Sequence, residues 1–175
     1  MSDPRRLIIG ITGASGVGYG IRALQLLTAE PNIETHLVIT AAARVTVGLE
    51  TSMSTDEVEA LADVVHPIRH ISAGPASGSF PADGMLVAPC SIRALSAIAH
   101  SHSADLLTRA ADVTLKERRP LVLMVRETPL HLGHLRLMAN VSEMGGIIFP
   151  PVPAFYEHPT DLQQMVTGTA ARALA

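Results

Sequence analysis

The chain of 175 residues is predicted to be an α/β protein, a three-layer, doubly wound parallel sheet of flavodoxin-like or Rossmann-like type, on three observations. Short apolar runs alternate with longer amphipathic stretches, the signature of strands crossed over by helices. Small-residue corners follow the carboxyl ends of those runs, where such sheets bind ligands. No Pro/Gly/Ser-rich linker interrupts the pattern, so residues 1–175 are read as one domain.

Leu7–Thr12 reads as a buried strand, Gly16–Ala29 as a helix, Glu34–Thr40 ("ETHLVIT") as a strand and Ala41–Glu50 as a helix. Ser54 with Glu57 makes a capping box that opens a helix expected to run to about Val65. "SAGPASGSF" (72–80) is loop by its Gly, Pro and Ser content and a candidate lid or ligand wall. "GMLVAPC" (84–90) is a strand stopping at Pro89, and Ser91 caps the helix Ile92–His100. Helix is expected over Ala104–Arg118, strand over 120–125, helix over 132–144, strand over 146–150 and a last helix over Pro159–Leu174. The corners at 13–16, 40–42, 89–94 and 126–129 then share one sheet edge.

Hydrophobic residues make up 47% and charged residues 17%, with a mean hydropathy of +0.31. That is more apolar side chain than a monomer of this size easily hides, and a homo-oligomer is the simplest remedy. A net charge of −3 gives no support for a nucleic-acid partner. No apolar run approaches the ~20 residues that cross a membrane. The run at Leu7–Ile11 is too short for a signal peptide, and a cytoplasmic protein is expected. The single cysteine, Cys90, suits a reducing compartment.

The first corner, "TGASGVGYG", has glycines at 13, 16, 18 and 20, so it misses G-x-G-x-x-G, and no G-K-[ST] follows. Small residues there let backbone N–H groups approach an anion, Ser15 adds a hydroxyl, and a helix N-terminus points at the corner. A phosphate or a flat ring suits it; a tight βα turn without ligand is the alternative. Arg109, Lys116, Arg118, Arg119 and Arg126 against Asp112 and Glu117 give a local balance of +3. Arg109 and Lys116 are two helical turns apart and either grip one phosphate together or form a solvated face with Lys116 paired to a neighbouring carboxylate. Arg126 and Glu127 end a strand, where reactive groups are placed, and Glu50 is a second acid directed at that edge or simply solvated. Tyr156 offers a phenol to a ligand oxygen or caps the core. His131 and His134 have metal-ligand spacing on a helix but no H-E-x-x-H pattern, so no metal site is assigned. Cys90 follows a proline with no evident His partner, so nucleophilic catalysis is not expected.

Taken together, "GITGASG", "ETHLVIT", "ASGSF", "APCSIRALSAIAH", "LLTRAADVTLKERRPLVLMVRETPLHLGHLRLM" and "PPVPAFY" resemble the UbiX/Pad-type flavin prenyltransferases from about Leu7 to Leu174. The resemblance implies transfer of a dimethylallyl group from dimethylallyl phosphate to N5 and C6 of reduced FMN, without a metal. It also implies a dodecamer with sites between subunits, and delivery of prenylated FMN to a UbiD-type decarboxylase. Carried over by position, it implies flavin contacts from Gly13, Ala14, Ser15, Thr40, Ser91, Ile92, Arg93, Ala94 and Arg126. It implies prenyl-phosphate contacts from Arg109, Lys116, Glu127, Tyr156 and Arg172, with Ser15, Glu50, Lys116 and Glu127 catalytic. Thr40 replaces a common Ser, Ala41 a common Lys and Ala94 a common Thr, so somewhat weaker FMN binding is expected. Relatives often continue beyond the position of Ala175 with a tail over the site. Two other functions are weighed: an FMN carrier without chemistry, and a flavin-dependent decarboxylase of the cysteine-decarboxylase group, whose His and Pro-x-Asn-type motifs are not visible here.

Overall fold

The computed structural model describes residues 4–175. Six strands, β1 (Arg5–Ile11), β2 (Ile33–Ile39), β3 (Val64–Val65), β4 (Gly84–Cys90), β5 (Leu121–Val125) and β6 (Ile147–Ile148), form one parallel sheet in the order β3-β2-β1-β4-β5-β6. The order runs outward from β1 in one direction and from β4 in the other. The crevice above the β1/β4 boundary is therefore the switch point at which doubly wound sheets bind ligands.

Seven helices flank the sheet: α1 (Val17–Leu27), α2 (Ala41–Glu50), α3 (Thr55–Glu59), α4 (Ile92–Ala99), α5 (Leu106–Lys116), α6 (Leu132–Glu143) and α7 (Leu162–Leu174). Alternate strand residues face opposite layers, as the two-residue period requires. Ile8, Val38, Met85 and Leu123 pack with α4, α5 and α6, whereas Ile9, Leu37, Leu86 and Met124 pack with α1, α2 and α7. Both faces of the strands are apolar because both are covered. Helix α7 lies along α1.

Most expected boundaries agree within two residues. Helices α5 and α7 begin slightly later than expected, after Asp105 and Asp161, whose carboxylates accept from the N–H groups of Thr108 and Gln164. One helix does not run as expected. The Ser54/Glu57 capping box is present, but α3 ends at Glu59 instead of continuing to Val65. Val64 and Val65 pair instead with His36 and Leu37 at the open edge of β2. Asp63 anchors that switch by accepting from Thr35 N at 2.7 Å and from the Thr35 hydroxyl at 2.8 Å. β-Branched residues beside an unpaired strand edge gain more from the ladder than from a further helical turn.

The 72–80 segment is pinned against α5 and Arg119, and lines neither of the two cavities described below. Ala73, Pro75 and Ala76 are buried around a 3₁₀ turn at Gly74–Ala76. Arg119 donates to the carbonyls of Phe80 and Gly78, and Arg109 to that of Ala76.

Candidate active site

The four corners do share the carboxyl edge of the sheet, and hydrogen bonds join them. Thr40 N donates to Ile11 O, Arg126 N donates to Cys90 O, and the Thr46 hydroxyl reaches Gly13 O at 3.4 Å. Gly13 is required by a close approach, since a Cβ there would stand 2.4 Å from Ala42 Cβ. Thr40 and Ser91 are N-caps of α2 and α4, their hydroxyls accepting from Ala43 N and Ala94 N. Each hydroxyl still has its own hydrogen to donate. Ala94 is buried with its N–H taken by Ser91, so its polar group is not offered to a ligand, unlike the exposed Arg93 beside it. Ile92 packs toward the core.

The expectation for the first corner needs one correction. Its helix N-terminus does not face an empty anion site, because the carboxylate of Glu50, from the far end of α2, already lies there. Gly16 caps α1 at φ +98° with no side chain to offer, and Glu50 Oε2 accepts from Gly16 N at 2.8 Å and Val17 N at 3.3 Å. Glu50 is thus neither simply solvated nor free. Burial pushes its carboxyl up, but the Ser15 hydroxyl, those two N–H groups and the charge of Arg126 outweigh it and hold the pKa below the ordinary value. The group is an ionised carboxylate at neutral pH.

Ser15, Glu50 and Arg126 line one open cleft of about 640 Å³, with Tyr19 and Arg22 from α1, Met53 beyond α2, and Leu162 and Val166 from α7. That volume lies within the ~300–1,000 Å³ usual for small-molecule sites. A hydroxyl, a cation, a carboxylate and apolar walls suit a flat polar ring carrying an anionic tail. Tyr19, Arg22 and Met53 are wall residues that sequence reading missed. Tyr19 had a signal, as one of two tyrosines and in the first turn after the glycine corner. Burial raises its phenol pKa and Arg126 opposes the rise.

The residues expected around prenyl phosphate do not meet within one chain. Tyr156 and Arg172 line a separate hollow of about 60 Å³ with Glu157 and Gln164. Tyr156 is 81% exposed, so it does not cap the core. Arg109 and Lys116 sit on α5, in the layer on the opposite side of the sheet. There Arg109 pairs with Asp112 at 2.7 Å and Lys116 pairs with Glu117, the neighbouring-carboxylate arrangement. Glu127 is exposed and accepts from Thr128 N at 3.0 Å. His131 Nδ1 accepts from Gly133 N as the N-cap of α6. Cys90 is fully buried, and that burial pushes its thiol pKa up to about 12.

The fold is that of a doubly wound protein with an open cleft at the carboxyl edge of its sheet, and the chain belongs to the Flavoprotein family, whose model matches residues 1–170. Within it the chain falls among the flavin prenyltransferases. It is 59% identical over 170 residues to the flavin prenyltransferase UbiX of Escherichia coli strain K12, covering 97% of this chain and 90% of that one. The crystal structure of AnUbiX in complex with FMN and dimethylallyl pyrophosphate superposes with a TM-score of 0.96 at 47% identity, covering 98% of this chain and 90% of that one. A dodecameric FMN-dependent UbiX-like decarboxylase from Escherichia coli O157:H7 gives 0.95 at 47% identity, covering 97% and 91%.

Proposed function

We propose that the protein transfers the dimethylallyl group of dimethylallyl phosphate to reduced FMN, and that a UbiD-type decarboxylase receives the prenylated product. The observation that carries this reading is the convergence of Ser15, an ionised Glu50 and Arg126 on one cleft at the carboxyl edge of the sheet. Ser15, Arg126, the 13–14 backbone, Thr40, Ser91 and Arg93 bind and orient the flavin. Reduced FMN, when bound, supplies the nucleophilic N5 and C6 atoms.

The allylic C–O bond breaks with its electron pair passing to the phosphate. Arg109, Lys116 and Arg172 stabilise that growing negative charge, and Tyr156 donates to a phosphate oxygen. The carbon fragment becomes electron-poor, and the fixed negative charge of Glu50 favours it. The second bond would form at the expense of the fragment's double bond, which would take up the proton lost from N5, and the proton then lost from C6 would pass to Glu50 or to the departing phosphate. Ser15 holds the Glu50 carboxylate in place, and Glu127 orients the cations beside the phosphate.

A complete site requires a second copy of the chain, since Arg109 and Lys116 lie across the sheet from Tyr156 and Arg172. The exposed apolar side chains Val45, Leu49, Leu132, Leu135 and Phe155 support assembly into a homo-oligomer, and a dodecamer is the proposed form. No helix of the described residues is long and apolar enough to cross a membrane; with one unpaired thiol in the sequence, a cytoplasmic setting is proposed.

The test is anaerobic incubation with reduced FMN and dimethylallyl phosphate, followed by mass analysis of the extracted flavin. A gain of one five-carbon unit is expected. Tightly bound but unchanged flavin would reject catalysis in favour of a carrier.

A further inference from the structure

The first and third corners must keep a fixed separation for one flavin to touch both, and the sheet itself does not enforce it. The β1/β4 ladder pairs Leu7 with Gly84 through Gly10 with Val87 and goes no further. Against β5 the register of β4 shifts between Val87 and Cys90, and past Val87 the main chain joins β1 to β4 through one long bond, Thr12 N to Pro89 O at 3.3 Å.

Thr12 bridges that gap. It is 1% exposed; its hydroxyl donates to Pro89 O at 2.7 Å and accepts from Ser91 N at 2.8 Å. Its own N–H also reaches Pro89 O, at 3.3 Å. Both functions of the hydroxyl of Thr12, the residue before Gly13, are therefore used across the crevice, on Pro89 and on Ser91, the N-cap of α4. The β-branched side chain has few χ1 choices, which fixes the hydroxyl without further partners. Among the described residues, these Thr12 bonds are the hydrogen bonds that join the two corners directly.

We infer that Thr12 is a positioning residue that sets the opening of the flavin site, holding the Ser91 turn at a fixed distance from the Gly13–Ser15 corner. The inference rests on the proposed placement of FMN across these corners. Thr12 acts through Ser91 and the corner backbone without touching the flavin. Its loss leaves Ser91 N and part of the demand on Pro89 O unsatisfied inside the fold, and the turn relaxes to find other partners.

The experiment compares Thr12→Val, Thr12→Ser and Thr114→Val with wild type in FMN titration, steady-state prenylation and thermal melting. Thr114 is a control: an equally buried hydroxyl, bonded to Ala110 O within α5 and away from the crevice. Thr12→Val is expected to raise both the Kd and the KM for FMN about tenfold, the effect of losing one buried hydrogen bond. The KM for dimethylallyl phosphate should be unchanged. Thr12→Ser restores FMN affinity to within about threefold of wild type, because it keeps the hydroxyl and loses only its rotamer restriction. Thr114→Val lowers the melting temperature and leaves FMN affinity alone.

Folded Thr12→Val with wild-type FMN affinity would overturn the inference, as would an equal affinity loss in Thr114→Val. Wild type that binds no FMN at all would instead reject the flavin reading itself. Hydrogen exchange at Ser91 in FMN-free wild type decides even if the valine variant does not fold. Protection matching Leu86 and Val87 supports the bridge, and exchange at the rate of an exposed amide overturns it.

Discussion

The cleft around Ser15 and the hollow around Tyr156 differ in how much of their chemistry one chain completes. In the first, Glu50 is held by two N–H groups and flanked by Ser15 and Arg126, all contributed by one copy. In the second, Arg172 and Tyr156 are exposed, and the cations expected to join them lie beyond the sheet on α5. A sheet separates its two helical layers by roughly twice the ~10 Å layer spacing, a gap no side chain closes around one phosphate. On the proposed function, the contacts around Ser15 and Glu50 come from one copy, whereas the prenyl-phosphate contacts draw on residues of a second copy.

The largest expected effect breaks the first region. Glu50→Gln keeps the shape but removes the charge and the proton acceptor, and turnover should fall about 10²- to 10⁴-fold, the usual worth of a general base. FMN titration should show binding retained. Undiminished single-turnover prenylation would pass the proton role to phosphate alone.

Lys116→Met addresses the second region. Loss of a charge-assisted hydrogen bond of roughly 1.5–3 kcal/mol predicts a ~10- to 150-fold defect, partly in turnover because phosphate charge grows as the bond breaks. FMN affinity should hardly change. Mixing this variant with Arg172→Met after dissociation and reassembly sharpens the comparison. If sites are shared between copies, about a quarter of them regain both wild-type side chains by random pairing and activity returns. Inactive mixed oligomers would place both residues in a single-chain site.

Ser15→Ala is expected to cost less, about 2- to 10-fold in prenylation rate for one neutral hydrogen bond. The backbone donors of the corner survive, so FMN stays bound. A collapse of FMN binding would make Ser15 a binding group instead.

The smallest effect concerns acid stability. Glu50 has a folded pKa below its unfolded value, so its contribution is present above the unfolded pKa and is lost as pH falls through the folded one. Melting temperature followed downward from about pH 5 should drop more steeply for wild type than for Glu50→Gln. Parallel curves would mean that the carboxylate contacts contribute nothing to the fold.

Five of the six strands were legible because each is an apolar run bounded by small or proline residues. β3 was not, since two valines carry no period and only the open edge of β2 selects strand over helix. With five strands the sheet would have the flavodoxin order 2-1-3-4-5; the extra edge strand gives the Rossmann order 3-2-1-4-5-6. Ser15 and Arg126 were legible from their position after strands. The contact from Glu50 to Gly16 was hidden, because it depends on how α2 packs beside α1, which spacing within either helix does not encode. Arg109 and Lys116 do share a stretch of α5, but spacing along one helix cannot tell which layer of the sheet that helix joins.

The sealed thiol of Cys90 bears on how such an enzyme survives its own cofactor. Reduced flavins give peroxide on contact with oxygen, and the species that peroxide attacks is a thiolate. With burial pushing the Cys90 pKa up to about 12, almost no thiolate exists at neutral pH, and the side chain has no exposed surface. Air exposure should therefore leave the protein without sulfenic acid or intermolecular disulfide. A cysteine introduced on the surface would then be the sole reactive handle for cross-linking one copy to its neighbour.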